Sequence, residues 1–280
     1  MEFIKYSSEI KRRISELKKQ GKIIGFVPTM GALHSGHLSL VKKAKEACDI
    51  VVCSIFVNPT QFNQASDLDK YPRTIEADKK LLEPYCDILF FPNSVEEVYG
   101  ENIVLKEFDF GGIEKELEGK FRPGHFEGMA NVVYNFFDIV LPNKAFFGLK
   151  DYQQYLIVCK MVEISGFDMG VIGCDIIREE TGLAKSSRNE LLPNEARKAA
   201  AIINYSLEFI KKFYPYYSIE ELKKKAKNLI SGILEIEYLE IRDADTLLEF
   251  NSKENCSQVF VCFAGNIAGV RLIDNVIFKY

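Results

Sequence analysis

The chain has 280 residues, 47% apolar and 27% charged, the texture of an ordinary soluble globular protein and long enough for two domains. At this length about 75% of the unfolded surface can be buried, so neither disulfides nor a structural metal is needed to hold the fold together. Thirty-six Lys and Arg stand against 40 Asp and Glu, a formal net charge of −4, which leaves no basic field to gather nucleic acid or an anionic membrane. The longest apolar runs, such as 50–57, stop short of the ~18 residues of a spanning helix, and the N-terminus MEFIKYSSEIKRR has no signal-peptide core. A cytoplasmic location is expected, with no membrane and no nucleic acid among the partners.

In chain order, the apolar runs 23–27, 50–57 and 88–91 are continuous rather than alternating, as strands buried on both faces are. Between the first two, Leu40, Val41, Ala44, Ala47 and Cys48 share one face at helical spacing, so PTMGALHSGH forms the loop of a strand–loop–helix–strand unit. Further on, 129–141 reads as a helix whose buried stripe is Val132, Val133, Phe136, Phe137 and Val140. The segments 145–147, 151–165 and 171–177 read as strand, helix and last parallel strand. Then the texture changes. Helices are predicted over 194–213 and 218–231, joined across YPYY, followed by strands around 236–241, 259–263 and 270–277 with AGNIAG as the turn. An α/β domain over 1–177 and a smaller α+β domain over 178–280 are expected. The basic clusters at 11–13, 211–212 and 223–225 are mixed with acidic residues and read as solvated faces.

The seven cysteines, at 48, 53, 86, 159, 174, 256 and 262, show neither a CxxC pair nor zinc-ligand spacing. They read as reduced, structural thiols. With three histidines and no Cys/His cluster, no protein-held transition metal is expected. The histidines themselves all fall in glycine-flanked loops: His34 and His37 in LHSGHL, His125 in RPGHFEG. The first pair follows a buried strand, has Gly31 and Gly36 beside it, and enters the next helix at its N-terminus. There free N–H groups and a partial positive charge suit phosphate. A second anion-binding segment is Lys185-Ser186-Ser187-Arg188-Asn189, with two cations and two hydroxyls in five residues.

Together these loops resemble the nucleotidyltransferase superfamily with an HxGH motif. The finer resemblance is to the pantoate–β-alanine ligase (pantothenate synthetase) family, carried by FVPTMGALHSGHLSLV at 26–41, FVNPTQF at 56–62, DLDKYPRT at 67–74, FRPGHFEGM at 121–129, FFGLKDYQQ at 146–154 and SSRN at 186–189. It implies a Rossmann-like N-terminal domain that binds ATP and pantoate, and a smaller α+β domain carrying the KSSRN loop. The implied reaction joins pantoate to β-alanine through a pantoyl adenylate, with ATP as co-substrate, Mg²⁺ arriving with it, and AMP and pyrophosphate released. A homodimer formed through the larger domain is implied too.

The resemblance also distributes roles. Met30, Gly31, Ala32, Leu33, His34, Ser35, Gly36 and His37 would line the ATP site, with His34 and His37 at the phosphates and His37 as a proton donor. Gly148, Leu149, Lys150 and Asp151 would follow at the end of a strand, Lys150 taking a phosphate and Asp151 the ribose or a neighbouring backbone group. Ile177 would meet adenine through its backbone, while Lys185, Ser186, Ser187 and Arg188 close over the phosphates. His37, His34, Lys150 and Arg188 are the expected catalytic groups. Gln61 and Gln154 would hold pantoate, with Asn58 as a helper. Arg73, Arg122 and His125 would shape the pocket or tie down a loop, and Asp78 is a candidate outer ligand for Mg²⁺.

Three positions depart from the family pattern: Lys185 for an apolar residue, Leu149 for a polar one and Asn131 for Thr. Two other readings are a nucleotidyltransferase acting on a phosphate ester and a nucleotide-binding relative without activity. The neutral pair Gln61 and Gln154 favours a polyol carboxylate over a phosphate acceptor.

Overall fold

The computed structural model describes residues 1–61, 68, 71–250, 253 and 256–280. Of the motif residues, Phe62, Asp67, Asp69 and Lys70 lie outside the described residues. The chain divides into two compact units, one of residues 1–149 and 153–175, the other of 150–152 and 176–280.

In the first unit six parallel strands form one sheet in the order β1-β4-β3-β2-β5-β6. They are β1 (Glu2–Ile4), β2 (Ile24–Thr29), β3 (Ile50–Ile55), β4 (Ile88–Phe90), β5 (Lys144–Gly148) and β6 (Gly170–Cys174). Helices α1 (Ser7–Lys19), α2 (Ser35–Ala47), α3 (Ile75–Leu82), α4 (His125–Val140) and α5 (Tyr152–Ser165) accompany them. The alternation along each strand sorts two cores. Val27, Cys53, Leu89 and Phe146 face Leu40, Val41 and Ala44 of α2 and Leu82 of α3. On the other side Phe136 of α4 meets Phe26, Phe56 and Phe90 with ring centroids 5.9, 5.9 and 6.1 Å apart. Both faces being covered, the strands need no polar alternation, which is why their sequences read as unbroken apolar runs.

The second unit packs α6 (Asn194–Ala199), α7 (Ile202–Phe213) and α8 (Ile219–Ile230) with an antiparallel sheet of β7 (Glu235–Asp243), β8 (Gln258–Ile267) and β9 (Val270–Lys279). Ile203, Leu207 and Ile210 of α7 and Leu222, Ala226 and Ile230 of α8 share a core with Val259, Val261 and Phe263 of β8. The opposite face of β8 carries Phe260, whose ring lies 4.8 Å from that of Tyr152.

Several boundaries differ from expectation, each for a local reason. Helix α4 begins at His125, four residues early, because Gly124 takes a left-handed conformation (φ +79°) that starts the helix there. The expected helix 194–213 is two: Ala201 N–H and Ile203 N–H bond three residues back, to Lys198 and Ala200 carbonyls. That tightened turn seats Ala200 in the core at 0% exposure, and no residue in the Ala-Ala-Ala run announces it. Strand β6 ends at Cys174, so Ile177 lies beyond it and pairs its carbonyl with Lys185 N–H at 2.8 Å. Much of AGNIAG is strand; the turn is only Ala268-Gly269, both at positive φ. Ala47, expected on the buried face of α2, is exposed at the helix end. Strand β1 and helix α3 carry no sequence signal singled out above.

All seven cysteines are free thiols, five of them buried. Burial pushes the Cys86 thiol up to about 12. No described helix is long and apolar enough to cross a membrane. Because three aromatic partners converge on it, Phe136→Ala should cost about 3–5 kcal/mol of stability; urea denaturation showing a loss under about 1 kcal/mol would contradict this packing.

Candidate functional site

The β2–α2 loop occupies the topological centre of the first unit. Strand β2 is flanked by β3 on one side and β5 on the other, so the chain order reverses here and ligand sites of open α/β sheets lie at the carboxyl ends of such strands. Thr29 ends β2 with its hydroxyl bonded to the Ser54 carbonyl at 2.8 Å. Gly31 follows at φ +84° and Ala32 at +50°, a bend that any side chain at 31 would crowd, since a Cβ would lie 3.1 Å from Ile55 and 3.2 Å from Asp78. The bend is held from below. Asp78, 1% exposed, accepts Ala32 N–H at 3.0 Å, Leu33 N–H at 2.8 Å and the Thr74 hydroxyl at 3.2 Å.

This corrects the Asp78 expectation. Both its oxygens are turned inward on backbone and hydroxyl donors, so it is a loop anchor and not a ligand for Mg²⁺.

His34 and His37 are locked by the start of helix α2. His34 is the N-cap: its Nδ1 accepts Gly36 N–H at 3.1 Å, while His37 Nδ1 accepts His34 N–H at 3.3 Å. This is a capping box built from two imidazoles, with ring centroids 4.1 Å apart. Since both Nδ1 atoms accept, the ring proton of each neutral imidazole is assigned to Nε2. The helix start therefore fixes two tautomers as well as two positions. Met30, Ala32, Gly36 and both histidines are half-buried, Gly31 and Leu33 are buried, and Ser35 is exposed.

Gln61 lies in a 3-10 turn, Pro59–Gln61, and is 7% exposed. Its Nε2 donates to the Met30 sulfur at 2.9 Å and its Oε1 accepts Asn58 Nδ2 at 3.2 Å. Asn58 also donates to the Gly128 carbonyl and accepts from Thr60 N–H, the Thr60 hydroxyl and the Tyr99 hydroxyl. Its amide is thus fully engaged in shaping the turn. His125 Nδ1 lies 3.0 Å from the Gln61 carbonyl, which makes it a tie for the same turn. Gly128 completes the fit, because a Cβ there would lie 2.3 Å from the Thr60 carbonyl. Gln154, on α5, is half-buried. Its neighbour Gln153 is structural, bonding Glu118 N–H and the Ile113 and Glu116 carbonyls. Arg73 is exposed and Arg122 half-buried. Gly148 ends β5 and Leu149 follows it, its side chain lying over Gly173, where a Cβ would be only 2.7 Å away.

The remaining expected residues belong to the second unit. Lys150, with a side chain 17% exposed, lies 3.9 Å from the more open Asp151, and its carbonyl accepts Asn275 Nδ2 at 2.8 Å. Residues 177–185 form a small hairpin: Arg178 bridges Ala184, and Gly182 turns at φ +95°. Ser186 caps the next turn, its hydroxyl accepting Arg188 N–H at 3.3 Å. Ser187 is half-buried and Arg188 exposed. Beneath them Glu179 accepts Asn189 Nδ2 at 2.8 Å and Arg197 at 2.8 to 3.2 Å, with Lys185 Nζ 4.0 Å away. The hydrogen bonds from Arg197 hold the Glu179 carboxyl below its usual range. A second ion pair joins the half-buried Arg178 to the buried Asp274 at 2.6 and 3.1 Å.

Comparison with known proteins decides what this arrangement belongs to. The family described as pantoate-beta-alanine ligase matches residues 2–277. The chain is 46% identical to the pantothenate synthetase of Christiangramia forsetii, covering 94% of both chains. It is 43% identical to that of Bacteroides fragilis, covering 100% of this chain and 99% of the relative. Among solved structures, the pantothenate synthetase of Thermus thermophilus superposes with a TM-score of 0.91 at 38% identity and 99% coverage of each chain. The Francisella tularensis pantoate-beta-alanine ligase, solved with beta-gamma ATP and beta-alanine, gives 0.80 at 36% identity, covering 99% of this chain and 97% of that one.

The chain belongs to the pantoate–β-alanine ligase family.

Its departures from the ligase pattern now have physical accounts. Lys185 faces Glu179, so an apolar position has become part of an ion-pair cluster. Leu149 roofs Gly173. Asn131, 1% exposed, pins residue 106 by accepting its N–H at 2.6 Å and donating to its carbonyl at 3.0 Å, a two-way bond that the single hydroxyl of Thr makes less well. Sequence reasoning missed the anchoring residues of each unit, namely Asp78 as a loop holder in the first and Glu179, Asp274 and Asn275 in the second. Each sits outside the glycine- and histidine-bearing motifs, and only tertiary partners give it a purpose. Asp78→Asn, which turns a donor toward one of the two N–H groups, should destabilise the protein by about 1–3 kcal/mol in urea denaturation; an unchanged midpoint would remove the anchor role.

Proposed function

We propose that this protein condenses pantoate with β-alanine to pantothenate, driven by ATP and passing through a pantoyl adenylate. The match to pantoate–β-alanine ligases over residues 2–277 carries the reading, and the chain keeps the groups that the chemistry needs. In the first step a pantoate carboxylate oxygen attacks the α-phosphorus, the bond to the bridging oxygen breaks, and pyrophosphate leaves. In the second, the neutral amine of β-alanine attacks the acyl carbon, the bond to AMP breaks, and the amine loses its proton.

His34 and His37 present Nε2–H donors to phosphate oxygens, already oriented by the capping box, so no reorganisation is needed as charge builds. His37 acts mainly by this hydrogen bonding and electrostatics, because the leaving pyrophosphate needs little proton transfer. Gly31 and Gly36 let backbone approach the nucleotide. Lys150, Lys185 and Arg188 contribute positive charge and Ser186 and Ser187 direction, while Gly148, Leu149 and Asp151 flank Lys150 and Ile177 lies by the adenine. Gln61 and Gln154 hold pantoate through donor-acceptor amides. Asn58 and His125 act on it indirectly, by holding Gln61. The segment 1–177 thus carries the ATP- and pantoate-binding groups, with its residues 150–152, 176 and 177 belonging to the second compact unit, and 178–280 contributes the KSSRN loop.

Mg²⁺ is assigned to the nucleotide. Among the described residues no group of three or more acidic, His or Cys side chains could hold it, and Asp78 is committed elsewhere. Mg²⁺ takes phosphate oxygens and water readily. A cytoplasmic homodimer, formed through the larger domain, completes the proposal.

With ATP, Mg²⁺, pantoate and β-alanine, purified protein should release AMP and pyrophosphate only when both organic substrates are present. AMP release without that dependence would overturn the assignment. His37→Ala and Lys150→Ala should each slow adenylate formation by about 100-fold or more, measured as pantoate-dependent pyrophosphate release. Near wild-type rates would take these residues out of the mechanism.

A further inference from the structure

Two buried residues of the second unit, Asp274 and Asn275, form a hydrogen-bonded cluster with the half-buried Arg178 that reaches Lys150 through Asn275, and no step above uses it. Asn275, 4% exposed on β9, donates Nδ2–H to the Lys150 carbonyl at 2.8 Å. Its own N–H bonds Asp274 Oδ1 at 2.8 Å, and its carbonyl accepts Arg178 Nη2 at 3.3 Å. Arg178 also grips both oxygens of Asp274, which is 3% exposed, and reaches the Gly182 carbonyl at 3.2 Å. One guanidinium therefore ties β9 to the hairpin that leads into KSSRN, and one amide ties Lys150 to the same place.

A buried ion pair is a poor way to gain stability, since desolvation consumes most of the attraction and an apolar cluster of equal volume does as well. What such a cluster supplies is geometry. Lys150 sits in the 3-10 turn Leu149–Asp151 on a long flexible side chain, so the origin of that chain decides where its ammonium can reach. We propose that Asn275, held in register by the Arg178–Asp274 pair, is a positioning residue for Lys150 and thereby for phosphate handling in adenylate formation. This rests on the functional reading above. Asn275 itself touches no reacting atom.

A double-mutant cycle tests it, with adenylate formation read as pantoate-dependent pyrophosphate release. Asn275→Ala should slow that step by about 10-fold in the wild-type background but by less than about 2-fold in Lys150→Ala, because displacing a group that is already absent has no further effect. The second half-reaction, started from preformed pantoyl adenylate and β-alanine, should be unchanged. A merely structural role would slow both half-reactions and act equally in both backgrounds, and that result overturns the proposal while leaving the ligase reading intact. Wild-type protein with no pantoate-dependent pyrophosphate release overturns both. If Asn275→Ala does not fold, Asn275→Ser, which shortens the donor but keeps a hydroxyl, is carried through the same cycle with the same criteria.

Discussion

A carboxylate removed from water is costly unless donors surround it, and Asp78 meets that condition with two backbone N–H groups from the β2–α2 loop and one hydroxyl. The dependence runs both ways. The loop bends through Gly31 and Ala32 at positive φ, a conformation that needs an external acceptor to persist, and the buried acid needs the loop's amides. Everything downstream follows from this mutual need: the loop sets where α2 starts, the helix start sets the capping box, and the capping box sets the tautomer of both imidazoles.

The same arrangement recurs wherever a candidate group is presented. Gln61 is oriented by Asn58 and its carbonyl by His125, the turn is seated on Gly128, and Tyr99 braces Asn58. Burial pushes the Tyr99 hydroxyl above its ordinary range, which keeps it a neutral donor. In the second unit Glu179 and Asp274 support the KSSRN hairpin and Lys150 in turn. For Asp274 burial outweighs the pull of Arg178, so its carboxyl lies above the usual value. Desolvation thus offsets what the ion pair contributes, and its use is placement. The candidate groups are few and polar; the groups that orient them have their hydrogen bonds turned into the fold.

Much of this was legible in the chain. Continuous apolar runs announced strands covered on both faces, and β2 through β6 appeared where they were expected, though β6 stopped short of Ile177. His34 and His37 were singled out because they stand beside glycines at a strand-to-helix junction, where free N–H groups suit phosphate, and KSSRN because two cations and two hydroxyls cluster in five residues. The split between α6 and α7 was not legible, since Ala199-Ala200-Ala201 contains no breaker; packing of Ala200 decided it. Asp78 drew the wrong role. Residue type alone made it a candidate ligand, and burial on the donors of the β2–α2 loop made it unavailable.

The sequence by itself determined the class of chemistry, because residue type and order suffice for it: imidazoles and glycines after the first long strand, amides at 61 and 154, a lysine at 150 and a serine-arginine loop later. It also determined two regions of different texture. What only the tertiary structure decided is which polar side chains are engaged by their neighbours. Asn58, Asp78, His125, Gln153 and Asn275 are all polar residues of the kind that bind ligands, and each has its hydrogen bonds directed into the fold. That distinction depends on partners far away in the chain, so no local pattern can carry it.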